Sequence, residues 1–223
     1  MRTLTVITAG LSNPSTTRQV ADSIADAVST AVSARGESVD VEVIELRELV
    51  NDLGKALTGG GMSTPALADA KRRVSASDGL IAVTPVFKAS YSGLFKTFFD
   101  VLDTDALNGM PTIIAATGGS SRHALVLDFA LRPLLTYLRA VVVPTGLFAA
   151  AEDWGTDNGA AFETRTARAA GELAELMVAE SGHVGGLGGV TAEGQGTRRR
   201  SSGEDPAENL TPFARLLEGH DGR

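Results

Sequence analysis

Apolar residues along this chain fall into short β-branched runs that alternate with longer stretches of helical spacing. "TLTVITAG" (3–10) reads as a first strand that breaks at Gly10. Val20, Ile24, Ala27, Val28, Ala31 and Val32 then recur at helical spacing until Gly36. "VDVEVIEL" (39–46) alternates as a second strand, and residues 47–63, with "TGGG" among them, read as a mobile loop. Thr64 as N-cap and Pro65 at the first helical position open the next helix. "GLIAVTP" (79–85), "MPTIIAATGG" (110–119) and "VVVPTGLFA" (141–149) are predicted as the third, fourth and fifth strands. Helices are predicted at "GLFKTFFDVL" (93–102), along "SSRHALVLDFALRPLLTYLRA" (120–140), and from Asn158 to Ser181.

Five strands alternating with helices predict an α/β fold, a parallel sheet covered on both faces. Ligands of such sheets bind outside the carboxyl ends of the strands, where strand order reverses. Three connections lie at that end. "AGLSNPSTTR" (9–18) gathers Ser12, Ser15, Thr16 and Thr17 at the start of the first long helix, with Arg18 one residue on. Unpaired amides and the helix dipole favour an anion there. Capping needs one hydroxyl, so four favour a phosphate cradle. Gly10 lacks the spacing of a dinucleotide fingerprint, and no Gly-Lys-Ser/Thr of a nucleotide-triphosphate loop follows.

The second connection, within "TPVFKASYSGLFKTFFD" (84–100), offers Pro85, Val86, the flat ring of Phe87, the Lys88 cation and a Ser92-Gly93 helix start. A plain turn with a buried Phe reads equally well. In the third, "ATGGSSRH" (116–123), Gly118 and Gly119 permit close backbone approach. Thr117 and Ser120 there could bond the edge of a heterocycle, and a tight turn capped by Ser120 is the alternative.

Composition narrows the chemistry. The chain has 223 residues, 43% of them hydrophobic, with formal net charge -7 and no cysteine. Acidity argues against nucleic-acid binding, and the lack of Cys excludes disulfides and thiolate chemistry. No apolar run reaches membrane length and no signal-peptide pattern opens the chain, so a cytoplasmic location is expected. His123, His183 and His220 lack ligand-like spacing, and no GxSxG elbow is present. No metal site and no catalytic triad are therefore expected. Residues 1–182 read as one domain. Residues 183–223 read as a Gly-rich flexible tail with a short amphipathic segment, "LTPFARLLEG", and with Arg198–Arg200 as solvated linker.

Taken together, a phosphate cradle, an aromatic face and a Gly-rich amide edge fit a phosphate, a spacer and a planar ring, which describes FMN. On "TPVFKASYSGLFKTFFD" and "ATGGSSRHALVLDFALRPLL" the chain resembles the NAD(P)H-dependent FMN reductases of the flavodoxin-like superfamily, over about residues 3–150. It is most similar to those that supply reduced flavin to two-component monooxygenases of the luciferase-like kind. The resemblance implies a flavodoxin-like five-stranded parallel sheet in the order 2-1-3-4-5. It further implies FMN and NADPH (or NADH) as reactants, a flavin-dependent monooxygenase as partner, and hydride transfer between aligned cofactors without a catalytic side chain. The cofactor-binding residues it assigns are Ser12, Ser15, Thr16, Thr17, Arg18, Pro85, Val86, Phe87, Lys88, Ser92, Gly93, Thr117, Gly118, Gly119 and Ser120. Relatives often carry an early Arg in the first loop, where this chain has Ser12 and Asn13, and a Tyr where Phe87 stands. Leu125, Leu127, Phe129, Leu131, Leu134 and Leu135 are too many to face one sheet. With the resemblance they imply a homodimer or homotetramer packed through that helix, which in some relatives carries a π-bulge near the Phe129 position; a helix buried within a single domain is the alternative. Two other readings keep the fold: a quinone or azo reductase with tightly held FMN, and an electron-carrying flavodoxin.

Overall fold

The computed structural model describes residues 1–151, 157–179 and 200–202. Strands β1 (Arg2–Thr8), β2 (Val39–Glu45), β3 (Gly79–Phe87) and β5 (Pro111–Gly118) carry the sheet. Beyond β5 lie two short pieces, β6 (Val141–Val142) and β7 (Leu147–Ala150), both parallel to it. The order is β2-β1-β3-β5-β6, the expected flavodoxin-like parallel arrangement.

Both faces are covered, which is why β3 and β5 read as nearly unbroken apolar runs. On one face α1 (Thr16–Ser33) and α6 (Asp157–Ala179) pack Val20, Ile24, Val28, Leu173 and Met177 onto Leu4, Val6, Ile81, Val83 and Ile113. The other face is covered by α2 (Val50–Thr58), α3 (Pro65–Ala76), α4 (Gly93–Asp100) and α5 (Arg132–Tyr137). There Leu53, Leu67, Phe95, Phe98 and Leu135 meet Ile7, Ile44, Leu80 and Ile114. At the start of α3, Thr64 accepts from the Leu67 amide, as its position before Pro65 predicts.

The structure corrects the sequence reading in four places. Residues 47–63 are not simply a loop: a 3-10 turn (Leu46–Leu49) runs into α2. Leu46, Leu49, Leu53 and Ala56 are buried at helical spacing, and the tolerated Gly54 hid the pattern. The single fifth strand is two, because Pro144 has no amide to give the ladder. Arg132 donates to the Val143 and Pro144 carbonyls at that break (3.0 and 3.1 Å).

The long helix is also composite. A 3-10 turn (Ser121–His123) leads to a π-helical turn (Leu127–Leu131) and then α5. Its π character sits at the expected Phe129 position, with the Arg132 amide donating to the Leu127 carbonyl. The extra residue turns Phe129 outward while Leu127 and Leu131 stay buried. Finally, Arg200 is half-buried rather than solvated, donating to the carbonyls of Ser77 and of Asn108 (3.3 Å) below the sheet. Residues 203–223, with the amphipathic segment, lie outside the described residues, as do Arg198 and Arg199.

Register sets the working end. Thr8 pairs with Val83, and Pro85 with Thr117, so β1, β3 and β5 finish side by side. A buried hydroxyl pair ties two of the following connections together: Thr17 Oγ1 and Thr117 Oγ1 lie 2.9 Å apart. Thr17→Val strands the Thr117 hydroxyl, and chemical denaturation is expected to read a loss of about 1–3 kcal/mol. Thr17→Val/Thr117→Val, with both hydroxyls gone, is expected to recover most of that loss.

Candidate functional site

The first connection begins at Gly10, where a Cβ would collide with the Ser15 hydroxyl. It turns through a cis Asn13–Pro14 peptide into α1. Ser15 caps that helix, its Oγ accepting from the Arg18 amide at 3.2 Å. The Gln19 amide goes to the Ser15 carbonyl, so the amides of Thr16 and Thr17 remain outside the helical ladder. No acidic residue sits in the first turn to neutralise that end.

The four hydroxyls divide sharply. Ser15 and Thr17 are buried and committed to the cap and to Thr117, while Ser12 and Thr16 are exposed. Arg18 faces carboxylates: Nε lies 2.7 Å from Asp22 and Nη1 2.5 Å from Glu45. The hydrogen bond to Asp22 holds its guanidinium above the ordinary arginine range, against the desolvation of partial burial. Arg47 also pairs with Glu45 (2.6 Å) and donates to the Ser12 carbonyl (2.8 Å), fixing the loop from β2's side. No sequence signal marks Arg47 for that task.

The second connection is a hairpin, which the sequence reading missed. A short strand β4 (Ser90–Tyr91) folds back on β3, pairing Val86 with Tyr91 and Phe87 with Ser90. Its two-residue tip needs left-handed backbone, and Lys88 (φ 52°) and Ala89 (φ 66°) supply it without a glycine. Left-handed residues with a Cβ cost on the order of 1–2 kcal/mol each. Thr84, also missed, latches the base: its hydroxyl accepts from the Ser92 amide and donates to the Pro85 carbonyl, both at 3.0 Å. Ser92 is buried as the cap of α4, accepting from the Phe95 amide (3.1 Å), and Gly93 starts that helix exposed. Pro85 and Val86 are half-buried, and the Phe87 ring is 45% exposed.

In the third connection Thr117 is buried against Thr17, and a Cβ at Gly118 would come within 2.9 Å of the Phe148 ring. At Gly119 a Cβ would meet nothing within 4 Å. Ser120 accepts weakly from the Arg122 amide (3.5 Å) to cap the 3-10 turn. One further feature escaped the sequence reading. The Thr8 hydroxyl, at the very end of β1, is buried and has no partner among the described residues.

These features fit a phosphorylated ring compound. One end offers free helix amides and exposed hydroxyls, another an exposed aromatic face, and the third an open glycine edge. Among the described residues no group of three His, Cys, Asp or Glu side chains could hold a metal.

Comparison with known proteins follows the same line. Residues 2–155 match the model of the NADPH-dependent FMN reductase family. The NADH-dependent FMN reductase SfnE of Pseudomonas putida is 40% identical over 143 residues, 64% of this chain and 74% of that protein. An FMN reductase (NADPH) of Pseudomonas aeruginosa is 40% identical over 117 residues, 52% of this chain and 62% of that protein. An oxidoreductase from Corynebacterium diphtheriae of known structure superposes with a TM-score of 0.79 at 67% identity, covering 81% of this chain and 99% of its own. The chain belongs to the NADPH-dependent FMN reductase family, and by that membership is an NAD(P)H:FMN oxidoreductase.

Proposed function

We propose that FMN is an exchangeable substrate of this enzyme, reduced by a nicotinamide coenzyme and released to a flavin-dependent monooxygenase in the cytoplasm. The observation that carries this reading is the openness of the site. Ser12, Thr16, Phe87, Lys88 and Gly119 are all exposed. Phe87 is the one exposed aromatic on the three strand-end connections among the described residues. A ring stacked on one face and open on the other is accessible to a hydride donor and free to leave.

The phosphate belongs with the amides of Thr16 and Thr17 and the hydroxyls of Ser12 and Thr16. Ser15 and Thr17 shape that cradle from within, and Arg18 sets its outer wall through Asp22 and Glu45. Phe87 supports the ring, its hairpin held rigid by Thr84 and Ser92, and Gly119 lets the backbone approach the ring edge. Bound there, FMN supplies the hydride acceptor, and the protein's part is alignment. Ser12→Ala/Thr16→Ala is expected to weaken FMN about tenfold while changing riboflavin, which lacks the phosphate, by less than about threefold. Equal weakening of both in a fluorescence titration would remove the phosphate assignment.

Exchange has its own signature. FMN is expected to leave on dialysis, and NADPH oxidation to rise saturably with added FMN. Gly119→Val, whose side chain enters open space, is expected to abolish that flux with the circular dichroism unchanged. Stoichiometric FMN surviving dialysis, with quinone reduction needing no added flavin, would favour a bound cofactor instead.

The second copy in the assembly is assigned to the outer face of the π-turn and α5. Phe129 and Tyr137 are 78% and 82% exposed there, lining a groove of ≈ 530 Å³ with Tyr91, Phe99 and Leu134. Exposed aromatics gathered on one helix face mark an association surface. Phe129→Glu/Tyr137→Glu is expected to sediment as monomer where the parent chain forms a dimer or tetramer. A monomeric parent at micromolar concentration would contradict the assignment.

A further inference from the structure

A nicotinamide dinucleotide reaching this site brings several negative charges to a chain whose formal net charge is -7. Only cations not already neutralised can draw it in. At the carboxyl end of the sheet Arg18 is shared between Asp22 and Glu45, and Arg47 is spent on Glu45. Two cations there pair with no carboxylate among the described residues, Lys88 on the hairpin tip and Arg122 in the 3-10 turn after Gly119. The register of Pro85 with Thr117 sets their two connections side by side.

They differ in place and in chemistry. Lys88 follows Phe87 directly on a tip held by left-handed backbone, so its charge stays near the ring end. Arg122 is exposed, three residues beyond the open Gly119 edge. Among the described residues its side chain bonds the Ser120 hydroxyl alone, at a weak 3.4 Å from Nε, so there the guanidinium fork keeps its terminal donors. A planar fork of that kind matches a phosphate monoester, which can accept two parallel bonds, better than the bridged phosphates of the pyrophosphate.

We propose that Arg122 recognises the 2′-phosphate of NADPH and so sets the coenzyme preference, Lys88 serving the charge that NADPH and NADH share. This rests on the proposed flavin site, since it is the ring stack there that directs the coenzyme past Gly119. Among similar proteins both coenzymes are named, the Pseudomonas putida enzyme being NADH-dependent and the Pseudomonas aeruginosa one NADPH-dependent, so membership leaves the choice to local residues.

Two measurements on the full chain test it separately from the flavin reading. In calorimetry the parent protein is expected to bind 2′,5′-ADP at least about tenfold tighter than 5′-AMP, and Arg122→Gln to remove that difference. In steady-state kinetics with saturating FMN, Arg122→Gln is expected to lower the NADPH-to-NADH ratio of kcat/KM by about 10- to 100-fold, the span of hydrogen bonds to a charged group. Lys88→Gln is expected to lower both coenzymes and leave the ratio in place. A parent protein that does not distinguish the two nucleotides, or a ratio carried by Lys88 instead, would overturn the proposal. Failure to reduce FMN with either coenzyme would sink the flavin reading, while the nucleotide titration would still decide the role of Arg122.

Discussion

Parallel pairing of β3 with β1 on one side and β5 on the other governs where every candidate residue lies. Parallel strands send their following connections out of the same end, and the pairs Thr8–Val83 and Pro85–Thr117 bring three such ends level. The sequence separates Ser12 from Ser120 by more than a hundred positions, yet the ladder lines up their loops. Burial on both faces holds the ladder: Ile81 and Val83 pack under α1 and α6, while Leu80 and Ala82 pack under the helices opposite. A slip of one residue in β3 would exchange those faces, so the same packing that stabilises the sheet also fixes the site.

Within that frame the small polar residues divide into those that hold and those that face outward. Ser15, Thr17, Thr84, Ser92 and Thr117 are buried, each spending its hydroxyl on a cap, a latch or a cross-tie. Ser12 and Thr16 are the hydroxyls left to solvent in the first loop. Removing a buried one disturbs the loop before it disturbs any ligand contact. The hairpin tip follows the same logic, since Lys88 and Ala89 endure left-handed backbone only because the β3–β4 pairing and Thr84 dictate the turn.

How much of this the sequence disclosed depended on the range of the interactions involved. The main strands, α1, α3, α4 and α6 follow from local periodicity and caps, and the strand-end loops follow from their place in the alternation. The π-turn at Phe129 came through family resemblance, because no local pattern demands one extra residue. α2 was masked by Gly54 and the "TGGG" run, although Leu46, Leu49 and Leu53 carried the helical signal. The β3–β4 hairpin was illegible for a different reason: "FKAS" contains neither Asn nor Gly to announce its turn. The hydroxyl cluster singles out the first loop, but nothing local separates the buried Ser15 and Thr17 from the exposed Ser12 and Thr16. The pairing of Arg18 with Glu45, 27 residues on, was equally out of reach.

The central claim is that three strand-end loops converge on one flavin, phosphate at α1 and ring at Gly119. Amide chemical shifts of the isotopically labelled protein, titrated with FMN and then with riboflavin, test it most directly. FMN is predicted to move Thr16, Thr17, Phe87 and Gly119 together, and riboflavin to move Phe87 and Gly119 while leaving Thr16 and Thr17 largely in place. Shifts confined to the groove beside Phe129, or the same response of Thr16 and Thr17 to both ligands, would contradict it.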